Sequence, residues 1–338
     1  MRRPGERMTM DDRHHDGYGN GRPGRRRFIT LMAAFAGLPL LPGKGFAGAS
    51  PVIWRGQALG APATLLLNHE NRAEAERLLR RVVAEVSRLE DIFSLFREGS
   101  ALAELNRTGV LAAPPSEMVE LLDLCRRFHV LAEGAFDPTI QPLWLLHARH
   151  FSRDGADPAG PSARDIRKAL ALVGFDRVHF DRNRISLPQR GMGLTLNGVA
   201  QGYVTDRIVA LLRDAGVTSS LVDMGENRAI GANAQGAPWR IGLAQSEDAT
   251  RPDMVLDIID RAVATSAGAG FHFDRAGHFS HILDPRTGLT ARRYARMSVV
   301  ADDAATADAL STAFSLMDEP QIETLRRSLR DVQVYLRV

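Results

Sequence analysis

LTLNGVAQGYVTDRIVALL, residues 194–212, is the stretch from which the rest of the chain can be read. It opens apolar at Leu194 and Leu196, as a short strand would, and breaks at Asn197-Gly198. It then turns through a second glycine, Gly202, into a helix whose inner side carries Val204, Ile208, Leu211 and Leu212. A strand, a glycine-spaced turn and a helix start together form an anion site. The first helical N–H groups lack intrahelical partners, and the helix dipole favours negative charge there. Glycine lets the backbone come close to a ligand. Taken alone, the pattern is more often plain packing, so the flanking sequence has to decide its meaning.

Upstream, residues 63–68 read as a strand. Residues 71–93 read as a long amphipathic helix with Leu79, Val82, Val83, Val86, Leu89 and Phe93 on its apolar face. Ser100 can cap a short helix over 101–105, Ser116 another over 117–132, and Ser162 a third over 163–173, with Asp165 completing a capping box. Residues 134–147 break with glycine and proline and resume as an apolar turn, and 151–161 read as a surface loop. Short strands are predicted at 178–180 and 184–187. Downstream, strands are predicted at 219–222, 239–243, 254–258 and 261–265, with a further one over 281–283. A strand at 297–300 leads into a helix at 304–317, and 332–336 closes the chain. Strands and helices do not alternate as βαβ units, which favours an α+β layered domain over a doubly wound sheet.

The chain has 338 residues, enough for a sizeable core, and a formal net charge of +3. The first 49 residues carry nine Lys/Arg and four Asp/Glu, a net of +5, so the remainder carries −2. Nothing in that balance points to nucleic acid or to an anionic membrane surface. The one cysteine, Cys125, excludes an internal disulfide and a cysteine metal cluster; within LLDLCRRFHVLA it reads as a small buried apolar residue. Arg25-Arg26-Arg27-Phe28-Ile29, an apolar run from Leu31 to Leu41, and Ala47-Gly48-Ala49 follow the order of a twin-arginine export signal with an A-x-A cleavage site. The run is shorter than the roughly 20 residues that span a bilayer. The expectation is a leader over residues 1–49, an exported domain over 50–338, and a periplasmic location.

Four groups of residues can carry chemistry. Asp308 and Thr312, four apart in a predicted helix, share one face and offer hard oxygen donors suited to Mg²⁺, although a solvated Asp and a helix threonine fit the spacing too. SHILDPRTG brings His281 and Asp284 together as candidate base or metal partner, and it also reads as an ordinary turn. Ser94, Arg97 and Asn106 can line a polar pocket or cap helices. Asp137 and Thr139 flank Pro138, where a turn explains them equally well. No nucleophile elbow, phosphate-binding Walker loop or dinucleotide fingerprint is present.

In this order, FSLFREGSALAELN, GAFDPTIQPLW, LNGVAQGYVTDRI, VDMGENRAIG, PWRIGL, VATSAGAG, SHILDPRTG and ADALSTAF resemble the ApbE family, the FAD:protein FMN transferases. The resemblance implies an α+β fold of layered mixed sheets packed with helices in one catalytic domain. It implies FAD as substrate and Mg²⁺ as cofactor, and transfer of FMN onto a threonine or serine of an acceptor protein with release of AMP. By motif it assigns metal ligation to Asp308, Thr312 and the Ala200 carbonyl, and places His281 and Asp284 beside the reacting phosphate. Contacts to FAD are assigned to Ser94, Phe96, Asn197, Gly198, Gly202, Asp223, Gly225, Thr265 and Ser266. Two positions depart from the family pattern: Gln201 stands where a lysine is usual, and Glu226 where a second glycine is usual. Those changes and the leader are similar to the NosX-like branch, which implies a NosR-like membrane flavoprotein as acceptor and a role in nitrous oxide reduction. The same two departures leave open a non-catalytic flavin carrier, and an FAD pyrophosphatase is a further alternative.

Overall fold

The computed structural model describes residues 51–244 and 251–338. The export-signal expectation falls on residues 1–49, outside the described residues.

In chain order the elements are β1 (Val52–Ala58), β2 (Ala61–Leu67), α1 (Arg72–Phe93), α2 (Ala101–Thr108), β3 (Val110–Ala112), α3 (Ser116–Leu131), α4 (Gln141–Phe151), α5 (Ala163–Leu170), β4 (His179–Phe180), β5 (Arg184–Ser186) and α6 (Ala200–Asp214). They continue with β6 (Ser220–Asp223), β7 (Asn227–Ile230), β8 (Trp239–Leu243), β9 (Met254–Ile258), β10 (Ala262–Ala267), β11 (Arg296–Ala301), α7 (Ala304–Phe314), α8 (Glu319–Ser328) and β12 (Gln333–Arg337). Seven strands form the central sheet in the order β1-β2-β6-β7-β10-β11-β12, with antiparallel neighbours throughout.

Both faces of that sheet are buried, and the two-residue period of its strands sorts side chains between them. Leu65, Leu67, Val222, Ala264, Met297 and Val299 face a helical layer that includes α1, α6 and α7. Leu66, Leu221, Ala229, Val263 and Val300 face the β8–β9 hairpin, which covers them with Trp239, Ile241, Leu243, Leu256 and Ile258. A third cluster joins α4 and α5 to Leu283 in the 281–288 turn. The structure is thus an α+β domain of layered sheets and helices, as the sequence implied.

Local capping chemistry explains several helix starts. The side chains of Asn71, Ser100, Ser162 and Asp303 accept from the backbone N–H three residues on, at α1, α2, α5 and α7. The predicted Ser116 cap is not formed: Ser116 is the first residue of α3, and Pro115 precedes it without a side-chain bond. The segment 134–147 is more regular than expected, because from Gln141 it is helix α4, with Pro142 in the first turn where its missing N–H costs nothing.

The opening stretch differs from its expectation in two ways. Residues 194–196 join no sheet. Asn106 takes their pairing instead: its Nδ2 donates to the Leu194 carbonyl (2.8 Å) and its Oδ1 accepts the Leu194 N–H (2.7 Å). Thr195 N–H donates to the Pro138 carbonyl at 2.8 Å. Gly202 is also not a turn residue; it lies in the first turn of α6. It is glycine because α7 passes against it. A Cβ on Gly202 would come within 2.2 Å of the Ala304 carbonyl oxygen.

Candidate active site

Helices α6 and α7 cross at Gly202, and this crossing organises the site. The Gly202 N–H donates to Asp308 Oδ2 at 3.0 Å, so the unpaired donor of one helix start is answered by a carboxylate from the next helix. Asp206, also on α6, accepts the Ala304 and Ala305 N–H groups, both at 2.9 Å, and pairs with Arg228. It thereby caps α7 from outside. The small residues of α7, Ala304, Ala305, Ala307 and Ala309, allow that approach and are all buried. The anion-binding potential of the α6 start is therefore met in part from inside the protein.

Beside this crossing lies an open cleft. One wall is polar: Asn197, Gly198 and Gln201 before and on α6, Gly225 and Glu226 after β6, Thr265 and Ser266 on β10, and Asp308 and Thr312 on α7. The other is apolar and aromatic, with Phe136, Ile140, Trp144, Phe271, Leu283 and Leu316 among its residues. Trp144 and Phe271 lie nearly parallel, 22° apart with centroids 6.2 Å distant. A half-polar, half-aromatic cleft suits a molecule that carries both a flat ring and charged oxygens.

The oxygen donors meet on the polar wall. Ser266 Oγ lies 2.8 Å from Ser311 Oγ and 3.4 Å from Thr312 Oγ1. Glu226 Oε2 accepts the Thr265 N–H at 3.2 Å. Gly225, at φ +110°, turns the chain into Glu226 while Gln201 packs where its Cβ would be. Burial pushes the Asp308 carboxyl above its ordinary range against the pull of the Gly202 N–H, and Asp206 adds repulsion. Burial likewise raises Glu226 well above the usual range, with the charges of Asp308 and Asp223 adding to it. Asp223 is pushed up to about 6 by burial. No lysine or arginine lines the cleft among the described residues.

His281 lines the cleft, and its Nδ1 lies 3.1 Å from the Phe271 carbonyl. A carbonyl only accepts, so Nδ1 carries a proton, and in the neutral ring Nε2 is then the acceptor. Asp284 is placed differently. Its carboxylate is held by the Arg286 guanidinium at 3.0 and 2.9 Å and by the Arg286 N–H at 2.8 Å. It shapes the turn, and its neighbour Pro285 lines the cleft in its place.

The structure brings Asn197, Gly198, Gly225, Thr265, Ser266, His281, Asp308 and Thr312 together around one cleft. Gly202, Ala200 and Asp223 stand behind that lining, Gly202 through its bond to Asp308 and Asp223 through its bond to the Gly225 N–H at 2.9 Å. Ser94 and Phe96 do not line it. Ser94 Oγ accepts the Phe96 and Arg97 N–H groups at 3.1 and 3.2 Å, while Phe96 is exposed. Asp137 does line it, but its carboxylate is spent on Thr139 N–H, Thr139 Oγ and Phe175 N–H. Trp144 and Phe271 were not anticipated; the signal for Trp144 was an aromatic residue within the apolar run that follows Pro138.

An α+β domain with an oxygen-lined, aromatic-walled cleft at a helix crossing defines the class. Residues 59–336 match the model of the ApbE family, and the chain belongs to that family. An FAD:protein FMN transferase of Treponema pallidum is 31% identical over 262 residues, covering 71% of each chain. One of Vibrio cholerae is 28% identical over 254 residues, covering 73% of each. Among solved structures, the flavinyl transferase ApbE of Pseudomonas stutzeri, in its apo form, superposes with a TM-score of 0.69 at 26% identity, over 86% of this chain and 97% of that one. The ApbE protein of Thermotoga maritima gives 0.72 at 27% identity, over 85% and 94%.

Proposed function

We propose that this chain is an FAD:protein FMN transferase that moves FMN from FAD to a threonine or serine of an acceptor protein and releases AMP. The observation that carries the reading is the cleft itself: an aromatic wall for a flat ring facing hard oxygen donors for a pyrophosphate-bound cation, in a chain of the ApbE family.

The donor set fits Mg²⁺. Asp308 is buried without a basic partner among the described residues, Thr312 offers a hydroxyl on the same helix face, and the Ala200 carbonyl lies at the start of the crossing helix. Among the described residues no three His, Cys, Asp or Glu side chains form a cage. That accords with an ion held by one or two carboxylates and completed by substrate oxygens. Bound by Asp308, Thr312 and the Ala200 carbonyl, Mg²⁺ would neutralise charge on the pyrophosphate as the bond to AMP breaks.

The remaining work falls to the chain's own groups. Trp144 and Phe271 hold the ring, and the apolar wall keeps water from the phosphorus, which favours a protein hydroxyl over hydrolysis. His281 takes the acceptor's hydroxyl proton on Nε2. The hydroxyl oxygen then bonds to the FMN phosphorus, and AMP leaves with the electron pair of the broken P–O bond. Asp284 holds the turn through Arg286. We further propose export by the twin-arginine leader, a NosX-like role, and a NosR-like membrane flavoprotein as periplasmic acceptor. Purified protein, FAD, Mg²⁺ and a flavin-domain fragment of such an acceptor should yield a fluorescent covalent flavin band on a denaturing gel. A bare fragment, with a known transferase labelling it in parallel, would refute the assignment.

A further inference from the structure

Glu226 is left unexplained by the proposed chemistry. Its side chain is buried, 5% exposed, on the polar wall of the cleft. One carboxyl oxygen accepts the Thr265 N–H, and no ion pair to it forms among the described residues. It lines the same cleft as Asp308, whose charge helps to raise the Glu226 carboxyl. Two buried carboxyl groups lining one cleft, without a basic partner among the described residues, are costly to ionise, and a cation entering between them offsets that cost.

Gln201 supplies a second, independent observation. It is 4% exposed, lines the same cleft and packs against Gly225, yet its amide nitrogen has no hydrogen-bond partner among the described residues. A dry amide donor needs an acceptor. Carboxylates that lack a cation beside a donor that lacks an acceptor describe one kind of visitor: a divalent cation carrying an oxyanion.

We propose that Glu226 adds a second carboxylate to the cation site of Asp308 and Thr312, so that this chain binds its divalent ion more tightly than Asp308 alone would allow. The inference deepens the transferase reading and rests on its cation site. Affinity of oxygen sites for hard cations rises with the number of ligand charges.

The test is Mn²⁺ binding to the full chain without FAD, followed by loss of the free-ion signal in electron paramagnetic resonance, with Mg²⁺ as competitor. The wild-type chain should bind Mn²⁺ and release it to Mg²⁺. Glu226→Gln, which keeps shape and removes charge, should weaken binding at least tenfold without lowering the melting temperature. Glu226→Asp should retain part of the affinity, and this second variant keeps the test sound if the first fails to fold. Asp308→Asn should lose most of the binding. If Glu226→Gln binds within twofold of wild type while Asp308→Asn does not bind, the cation site stands and the role of Glu226 falls. If wild type binds no Mn²⁺, both fall.

Discussion

Gly202→Ala is the sharpest test of the helix crossing. The added Cβ would lie 2.2 Å from the Ala304 carbonyl oxygen, 2.5 Å from its carbon and 2.7 Å from the Ala305 Cα. All three are backbone atoms of α7, so no rotamer change relieves the clash and the helices must separate by about 1 Å. Overpacking of this kind costs about 1–3 kcal/mol. Separation also stretches the Gly202 N–H bond to Asp308, for roughly another 1–2 kcal/mol. Alanine returns about 1 kcal/mol through helix propensity. The net is a loss of roughly 1–4 kcal/mol, which lowers the thermal midpoint by about 2–7 °C in a domain of this size. Circular dichroism melts of wild type and variant measure it. Gly99→Ala is the control, since a Cβ there meets nothing within 4 Å. A Gly202→Ala protein that melts at or above wild type would refute the crossing as described.

Gly198→Ala should behave differently, because its Cβ would meet the Thr312 side chain, with Oγ1 at 2.9 Å, and a side chain can turn away. Its melting point should stay within a few degrees while Mn²⁺ affinity falls, and unchanged affinity would place Thr312 outside the cation site. His147 is buried among Phe151, Phe273 and Phe279, and burial lowers its pKa to about 4. The unfolded chain therefore binds the proton more readily, so stability is full above about 6.5 and is lost as pH falls toward 4, by up to about 3 kcal/mol. Urea melts at pH 7 and pH 5 should differ less in His147→Phe than in wild type. Burial pushes the Cys125 thiol up, so a thiol reagent such as Ellman's should label it only after denaturation.

The local elements were legible because their signals lie within a few residues. Apolar spacing and Asn71 define α1, and serine caps mark α2 and α5. Four elements had weaker or unread signals, among them the three-residue strand β3. β1, VIWRGQA, is an edge strand that alternates too little to be recognised. β7 is four residues long with an arginine inside. α8 carries a readable capping box, Asp318 with Gln321, but its polar sequence hides the apolar pair Ile322 and Leu325. Asn106 was ambiguous for a different reason: a cap and a strap use the same amide, and only its partner 88 residues away distinguishes them.

The sequence by itself determined the α+β class, the family, the absence of any disulfide, and the residues of the cleft's polar wall. Those properties follow from local periodicity, composition and ordered motifs. In the opening stretch, sequence alone suggested a strand, a glycine turn and an open helix start. Tertiary structure replaced the strand pairing with Asn106, placed Gly202 inside the helix, and filled the helix start with a carboxylate 106 residues away. It also decided that Asp284 serves its own turn, and that Glu226 and Gln201 share a cleft with Asp308. The physical reason is the same in each case. A polar side chain's role is set by the partner that satisfies it, and when that partner is distant in sequence only the folded chain identifies it.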